Sequence, residues 1–186
     1  MKTRGKGVLT QLSHSALLLI AVGMGNAYAA TDTAIITITG KVVANTCTMS
    51  SGSATQTVTL NDIADRDIRG KGVTGGDKNI SIVLKDCGTA ASAVKVSAWG
   101  SADSEDNQAF GNAIAKSDGG ADGVALYFYQ TNGTTKYNPD GSVTETSNLT
   151  PSADNTLNYK ASYVGTKDTV AAGSFMTVVN MNFEYL

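Results

Sequence analysis

Histidine is nearly absent from this chain of 186 residues, with His14 as the one copy. Its position matters, because residues 1–29 read as a leader. Lys2, Arg4 and Lys6 form a positive start, residues 16–22 an apolar centre, and Ala27-Tyr28-Ala29 a small-x-small cleavage pattern with the cut before Ala30. The apolar stretch falls short of the roughly 20 residues that span a bilayer. Export is therefore expected, leaving 157 residues without an imidazole. That loss removes His-dependent triads, most zinc sites and the commonest general base. Positive charge is scarce too. Three of the fourteen basic residues leave with the leader, so eleven face sixteen acidic ones, a net charge of −5. A nucleic-acid partner needs a concentrated basic surface, and none is present. Cysteine occurs only at Cys47 and Cys87. In an exported chain an even pair reads as one disulfide. A loop of this length stabilises by about 4 kcal/mol in the chain-entropy model. Lacking co-ligands, the pair does not suggest a metal, and no cofactor is expected.

What the chain does have is period-two alternation in short pieces: residues 57–60, 79–85, 93–99, 124–129, 157–163 and the C-terminal run. Turn formers separate them, among them Gly75-Gly76-Asp77, residues 118–123, Thr131-Asn132-Gly133 and Asn138-Pro139-Asp140-Gly141. Only two prolines occur, and the pattern predicts an all-β sandwich rather than an α/β fold. Residues 60–66 suggest a brief helical turn capped by Asn61 or Asp62. Neither a repeat nor a second domain is visible.

The two ends carry the strongest signal. From Gly173 to Leu186, Val179, Met181, Phe183 and Tyr185 share one face, while Val178, Asn180, Asn182 and Glu184 share the other. An immunoglobulin-like sandwich normally adds one more strand after such a run, and none remains. Ahead of Cys47, residues 33–43 alternate as well and read as a spare strand. The expectation is that chains complete one another.

The run Ile36-Thr-Ile-Thr-Gly-Lys-Val-Val-Ala-Asn-Thr-Cys47, the second cysteine in Lys85-Asp86-Cys87 and the ending from Gly173 to the penultimate Tyr185 together carry a resemblance. The mature chain resembles the pilins of the chaperone–usher pathway, the type 1-like fimbrial subunits of Gram-negative bacteria. The resemblance implies an immunoglobulin-like β-sandwich lacking its final strand and completed by donor-strand addition from another chain. It divides the chain into a signal peptide (1–29), a donor-strand extension (30–44) and a pilin domain (45–186). The implied partners are a periplasmic chaperone, an outer-membrane usher and neighbouring pilin subunits, with any host receptor engaged only indirectly. The implied destination, through the periplasm, is a fimbrium on the cell surface. The donor residues would be Ala34, Ile36, Ile38, Gly40 and Val42, with Gly40 at a shallow pocket or, on its own merits, at a strand bulge. Ile35 and Val43 break the polar face. The groove and chaperone strand would use Gly173, Phe175, Val179, Met181, Phe183 and Tyr185.

Other readings have less behind them. Catalysis lacks a base, so no enzyme is expected. A small glycan-binding tip or adaptor module would use Trp99, Tyr127 and Tyr129 as a stacking surface, although core and strand-surface packing accounts for them more simply. Adhesins of the family carry a lectin domain ahead of the pilin domain, and 157 residues leave room only for the latter. Asp118, Asp122 and the acids of 103–106 lack calcium-loop spacing and fit turns instead. The sequons at Asn132 and Asn148 are not expected to be used in a bacterial pilin.

Overall fold

The computed structural model describes residues 34–40, 42 and 46–186. The expected leader, and residues 30–33, 41 and 43–45 of the extension, lie outside them. The chain divides into two units, Met1–Gly40 and Lys41–Leu186. In the first, residues 34–40 form no strand and are exposed throughout, Ile36 at 82% and Ile38 at 90%. The alternation there suits a strand, but a ladder needs a second edge, and this segment has none.

Among the described residues the second unit holds eight strands: β1 (Thr48–Met49), β2 (Thr74–Lys85), β3 (Ala93–Trp99), β4 (Phe110–Gly111), β5 (Val124–Tyr129), β6 (Asp140–Asn148), β7 (Asn155–Gly165) and β8 (Asn180–Tyr185). They form a five-stranded sheet, β1-β2-β7-β5-β4, and a three-stranded sheet, β6-β3-β8. All pairings between these strands are antiparallel. Inward side chains of both sheets share one core: Ile82 and Leu84 from β2, Val94 and Val96 from β3, Phe128 from β5, Tyr159 from β7. Phe128 stacks on Tyr137 and Tyr159 at 5.8 and 5.6 Å between centroids. The Tyr137 hydroxyl donates to Glu145 at 2.8 Å, so this aromatic cluster is tied to β6 by a polar bond. Cys47 and Cys87 are joined, fastening the start of the domain to the end of β2.

Several elements differ from expectation for physical reasons. Gly75-Gly76-Asp77 is not a turn; it lies inside β2, at a bulge where the register with β7 slips between Gly75 and Lys78. Gly76 has φ of 68°, which a glycine adopts without strain. The helical turn sits at Asp65–Asp67 rather than 60–66, and Ala64 occupies the cap position without a side-chain bond. A one-turn helix, α1 (Ser51–Ala54), was not expected. β6 was missed because it is an edge strand with Val143 as its one large apolar residue. Residues 57–60 are not a strand, although Val58 and Leu60 are half-buried between exposed Thr57 and Thr59. Their pattern survives without a ladder partner. The turns at 131–133 and 138–141 form as expected. Asn132 Oδ1 accepts from the Thr134 and Thr135 amides at 2.9 Å, and the Gly141 amide reaches the Asn138 carbonyl at 3.0 Å.

Candidate functional site

β8 pairs with β3 on one side only. The Leu186 amide donates to the Ala93 carbonyl at 2.9 Å, and the register runs from Val94↔Tyr185 to Trp99↔Asn180. In an antiparallel ladder, backbone groups alternate between the two edges. Even-numbered residues of β8 therefore bond to β3, and the amides and carbonyls of Met181, Phe183 and Tyr185 point the other way. The same parity continues upstream through Phe175, Thr177 and Val179. All six are half-buried, and the residues between them are exposed. From Phe175 to Tyr185 this open edge spans about 33 Å, at roughly 3.3 Å per residue. Its inward side chains pack against the core on one flank and lack cover on the other. Partial burial already raises the Tyr185 phenol above its ordinary range.

The uncovered flank is a groove of about 1130 Å³. Its floor is the inner face of the five-stranded sheet, with Ile80, Ile82, Leu126, Phe128, Ala161 and Tyr163. Its far rim is the chain from Gln56 to Leu60, with Val58 and Leu60 half-buried. The two rims run in opposite directions. Met49 pairs with Leu84, and the chain then proceeds to Ile63, which packs in one cluster with Tyr163 and Phe175. β8 returns from Phe175 toward the disulfide pole. Any strand filling the groove must be antiparallel to one rim and parallel to the other.

The Phe175 end of the groove is held by polar bonds. Asn112 donates to the carbonyls of Ala121 and Ser174 at 3.1 and 2.9 Å, and its Oδ1 accepts from the amides of Ile114 and Met176 at 3.1 and 3.0 Å. The Ala113 amide reaches the Met176 carbonyl at 2.7 Å. Asp122 bonds Lys167 at 2.8 Å and Lys116 at 3.0 Å, and these two bonds lower its pKa to about 2. Gly173 belongs to this clasp rather than to the edge. A Cβ there would lie 2.5 Å from the Ala121 nitrogen, so the position admits only glycine. Phe175 meets Tyr163 edge-on at 5.3 Å.

The other long sheet edge is protected. β6 is polar, and the Gln130 amide caps the Thr144 carbonyl at 3.3 Å. β1 and β4, which end the larger sheet, are two residues each. An apolar unpaired edge is an invitation to strand addition, and β8 with the run before it presents one at length.

Sequence reasoning found Val179, Met181, Phe183 and Tyr185 on one face, and they stand together here. It missed Thr177, the rim at 56–60, and Asn112, for which the sequence offers no signal. The three aromatics do not form one surface. Tyr127 is buried, with its hydroxyl donating to Asp106 at 2.6 Å and Lys136 lying 3.7 Å from its ring centroid. Tyr129 packs edge-on against it at 6.2 Å. Trp99 lies on the other sheet, 44% exposed. Asp103 and Asp106 accept backbone amides in their turn. Among the described residues no group of three or more His, Cys, Asp or Glu could hold a metal ion.

The profile of the fimbrial protein family matches residues 36–185. The laminin-binding fimbrial subunit ElfA of Escherichia coli O157:H7 is 34% identical, covering 97% of this chain and 98% of its own length. Long polar fimbria protein A of Salmonella typhimurium is 31% identical over 91% and 94% of the two chains. Among solved structures, the P pilus rod subunit PapA superposes with a TM-score of 0.62 at 21% identity, covering 75% of this chain and 99% of its own. A type I fimbria protein of Burkholderia pseudomallei gives 0.54 at 28% identity, over 75% and 89%. With its immunoglobulin-like pilin fold, this chain belongs to the fimbrial protein family and is a structural, non-catalytic subunit of a fimbria, a surface appendage built from such subunits.

Proposed function

We propose that the groove beside β8 receives residues 34–42 of another copy or of a related subunit, so that fimbriae grow by donor-strand exchange. The observation that carries this is one of matching deficits within one chain. The open edge offers unpaired odd-numbered backbone groups over about 33 Å, and a nine-residue extended segment from Ala34 to Val42 reaches about 27 Å. Ala34, Ile36, Ile38, Gly40 and Val42 face the groove. Each Ile or Val moved out of water contributes about 1.5–3 kcal/mol. In its own chain Gly40 needs no special freedom, because an added Cβ meets nothing within 4 Å. The demand for glycine then comes from the pocket it enters.

Direction follows from the poles. Val42 is five residues from Cys47, a tether of at most about 18 Å. The incoming subunit's body must sit at the end of the groove where Val42 lands. At the disulfide pole it would compete with the acceptor's own departing extension. Entry antiparallel to β8, with Val42 near Phe175 and Ala34 near Tyr185, gives each pole one task and a head-to-tail polymer. Before assembly a periplasmic chaperone would cover the edge, and an outer-membrane usher would exchange it, after removal of residues 1–29.

The test uses the domain of residues 45–186 with a peptide of residues 30–44. The peptide should raise the melting temperature strongly, since it binds only the folded state. A Gly40→Leu peptide should work far less well, because overpacking a shallow pocket strains it. A domain fully stable alone and indifferent to peptide would overturn the proposal.

A further inference from the structure

At the Phe175 pole the outward face of the run that leads into β8 is apolar. Beyond Asn182 and Asn180 come Val178, 60% exposed, and Met176, 53% exposed. Trp99, the only tryptophan of the chain, lies opposite Asn180 and is 44% exposed. All three border the groove at this end, and their alternation with the buried Ala98 and the half-buried Thr177 and Val179 turns their side chains to the outside of the sheet. Trp99 is two strands from the line an inserted strand would follow, about 10 Å at the usual strand spacing. An exposed apolar cluster continuous with a binding groove needs an occupant.

We infer that Trp99, Val178 and Met176 form the seat for the disulfide pole of a second copy, the one whose extension fills the groove. The inference rests on the donor-strand reading and its direction. The tether of at most about 18 Å between Val42 and Cys47 brings that pole to this end of the acceptor. The arriving pole presents Ala90 and Pro151, both exposed, on loops tied to the disulfide. The Gly88 amide bonds the Thr46 carbonyl at 3.0 Å, and the Ser152 amide bonds Cys87 at 3.1 Å. Small apolar tips against an indole suit a compact contact, and tryptophan at such a centre commonly dominates its energy. The contact would set the angle between successive subunits, which the strand alone leaves free.

Trp99 is its own reporter. The full chain is compared free, saturated with a peptide of residues 30–42, and assembled. Assembly should shift indole emission to the blue and reduce quenching by acrylamide, whereas peptide alone should do neither. Val178→Glu should slow assembly of the full chain by about tenfold, the scale of a lost interface anchor, and change peptide affinity by much less than that. A tryptophan equally quenched in assemblies and monomers, or assembly of Val178→Glu at the wild-type rate, would overturn the contact while leaving the groove intact. Failure of the wild-type chain to bind peptide would remove the groove reading, and this contact with it.

Discussion

Asp122 and Asn112 show how single polar side chains keep an unpaired edge extended. The stretch from Ser174 to Val179 has no ladder of its own, yet it must hold a strand's geometry. Asn112 uses all four of its hydrogen-bonding positions to do this, joining three chain segments. Asp122 adds two ammonium partners, Lys167 and Lys116. Its folded pKa, about 2, lies below the ordinary 3.8. Its ionised form therefore stabilises the fold at all pH values above about 4, and that contribution fades as pH falls toward 2. The Lys167 ammonium is raised in turn by the same carboxylate, so the pair also survives into alkaline solution. Asp122→Asn should lower the melting temperature at pH 7 by a small amount, because the bridge is partly exposed. The difference from wild type should shrink below about pH 4 and be lost as pH falls through about 2, where the wild-type carboxylate itself protonates. A difference that persists undiminished at low pH would assign the effect to packing rather than charge.

β8 is the element on which fold and function meet. Its even-numbered backbone groups complete the three-stranded sheet, and its odd-numbered ones have no strand partner among the described residues. Removing Tyr185 and Leu186 takes away the bond to Ala93 and one of the half-buried side chains beside the groove. On the proposed reading, the shortened subunit should co-purify with a periplasmic chaperone at a reduced level and be degraded before assembly; wild-type recovery would exclude a role for this end in capture. β5 was legible residue for residue because a buried strand leaves an unbroken apolar run, and β3 because buried Val94, Val96 and Ala98 alternate with Lys95, Ser97 and Trp99. The alternation of the terminus was legible as well. Its openness was not, since period two looks the same whether one edge is paired or both. Residues 57–60 illustrate the converse. Their alternation is that of a strand, but hydrogen bonding decides the assignment, and among the described residues they have no ladder partner. β6 was hidden because Thr, Ser and Glu on an exposed edge resemble a loop. Asn112 was hidden because the two contacts that tie it to the edge, with Ser174 and Met176, lie 62 and 64 residues further along the chain.

A sandwich with an uncovered groove must draw its stability from elsewhere, and the disulfide is the evident source. Cys47 and Cys87 close a loop spanning 40 residues, worth about 4 kcal/mol against a typical domain stability of 5–15 kcal/mol. In the free subunit that contribution is a large share of the total, because the inward faces of Val179, Met181 and Phe183 remain half in water. On the proposed donor-strand reading, an inserted strand covers them, and the added burial and completed ladder make the bond less critical. Reduction should therefore affect the two states differently. Treatment with dithiothreitol at 37 °C should unfold the free subunit, read by loss of β-sheet circular dichroism, while assembled subunits keep their signal. Cys87→Ser should likewise accumulate poorly as a monomer and recover when peptide of residues 30–44 is present during folding. Equal sensitivity of free and assembled subunits would mean that the groove contributes little to the stability of the polymer. The fibre would then have to be held by contacts between subunit bodies rather than by the inserted strand.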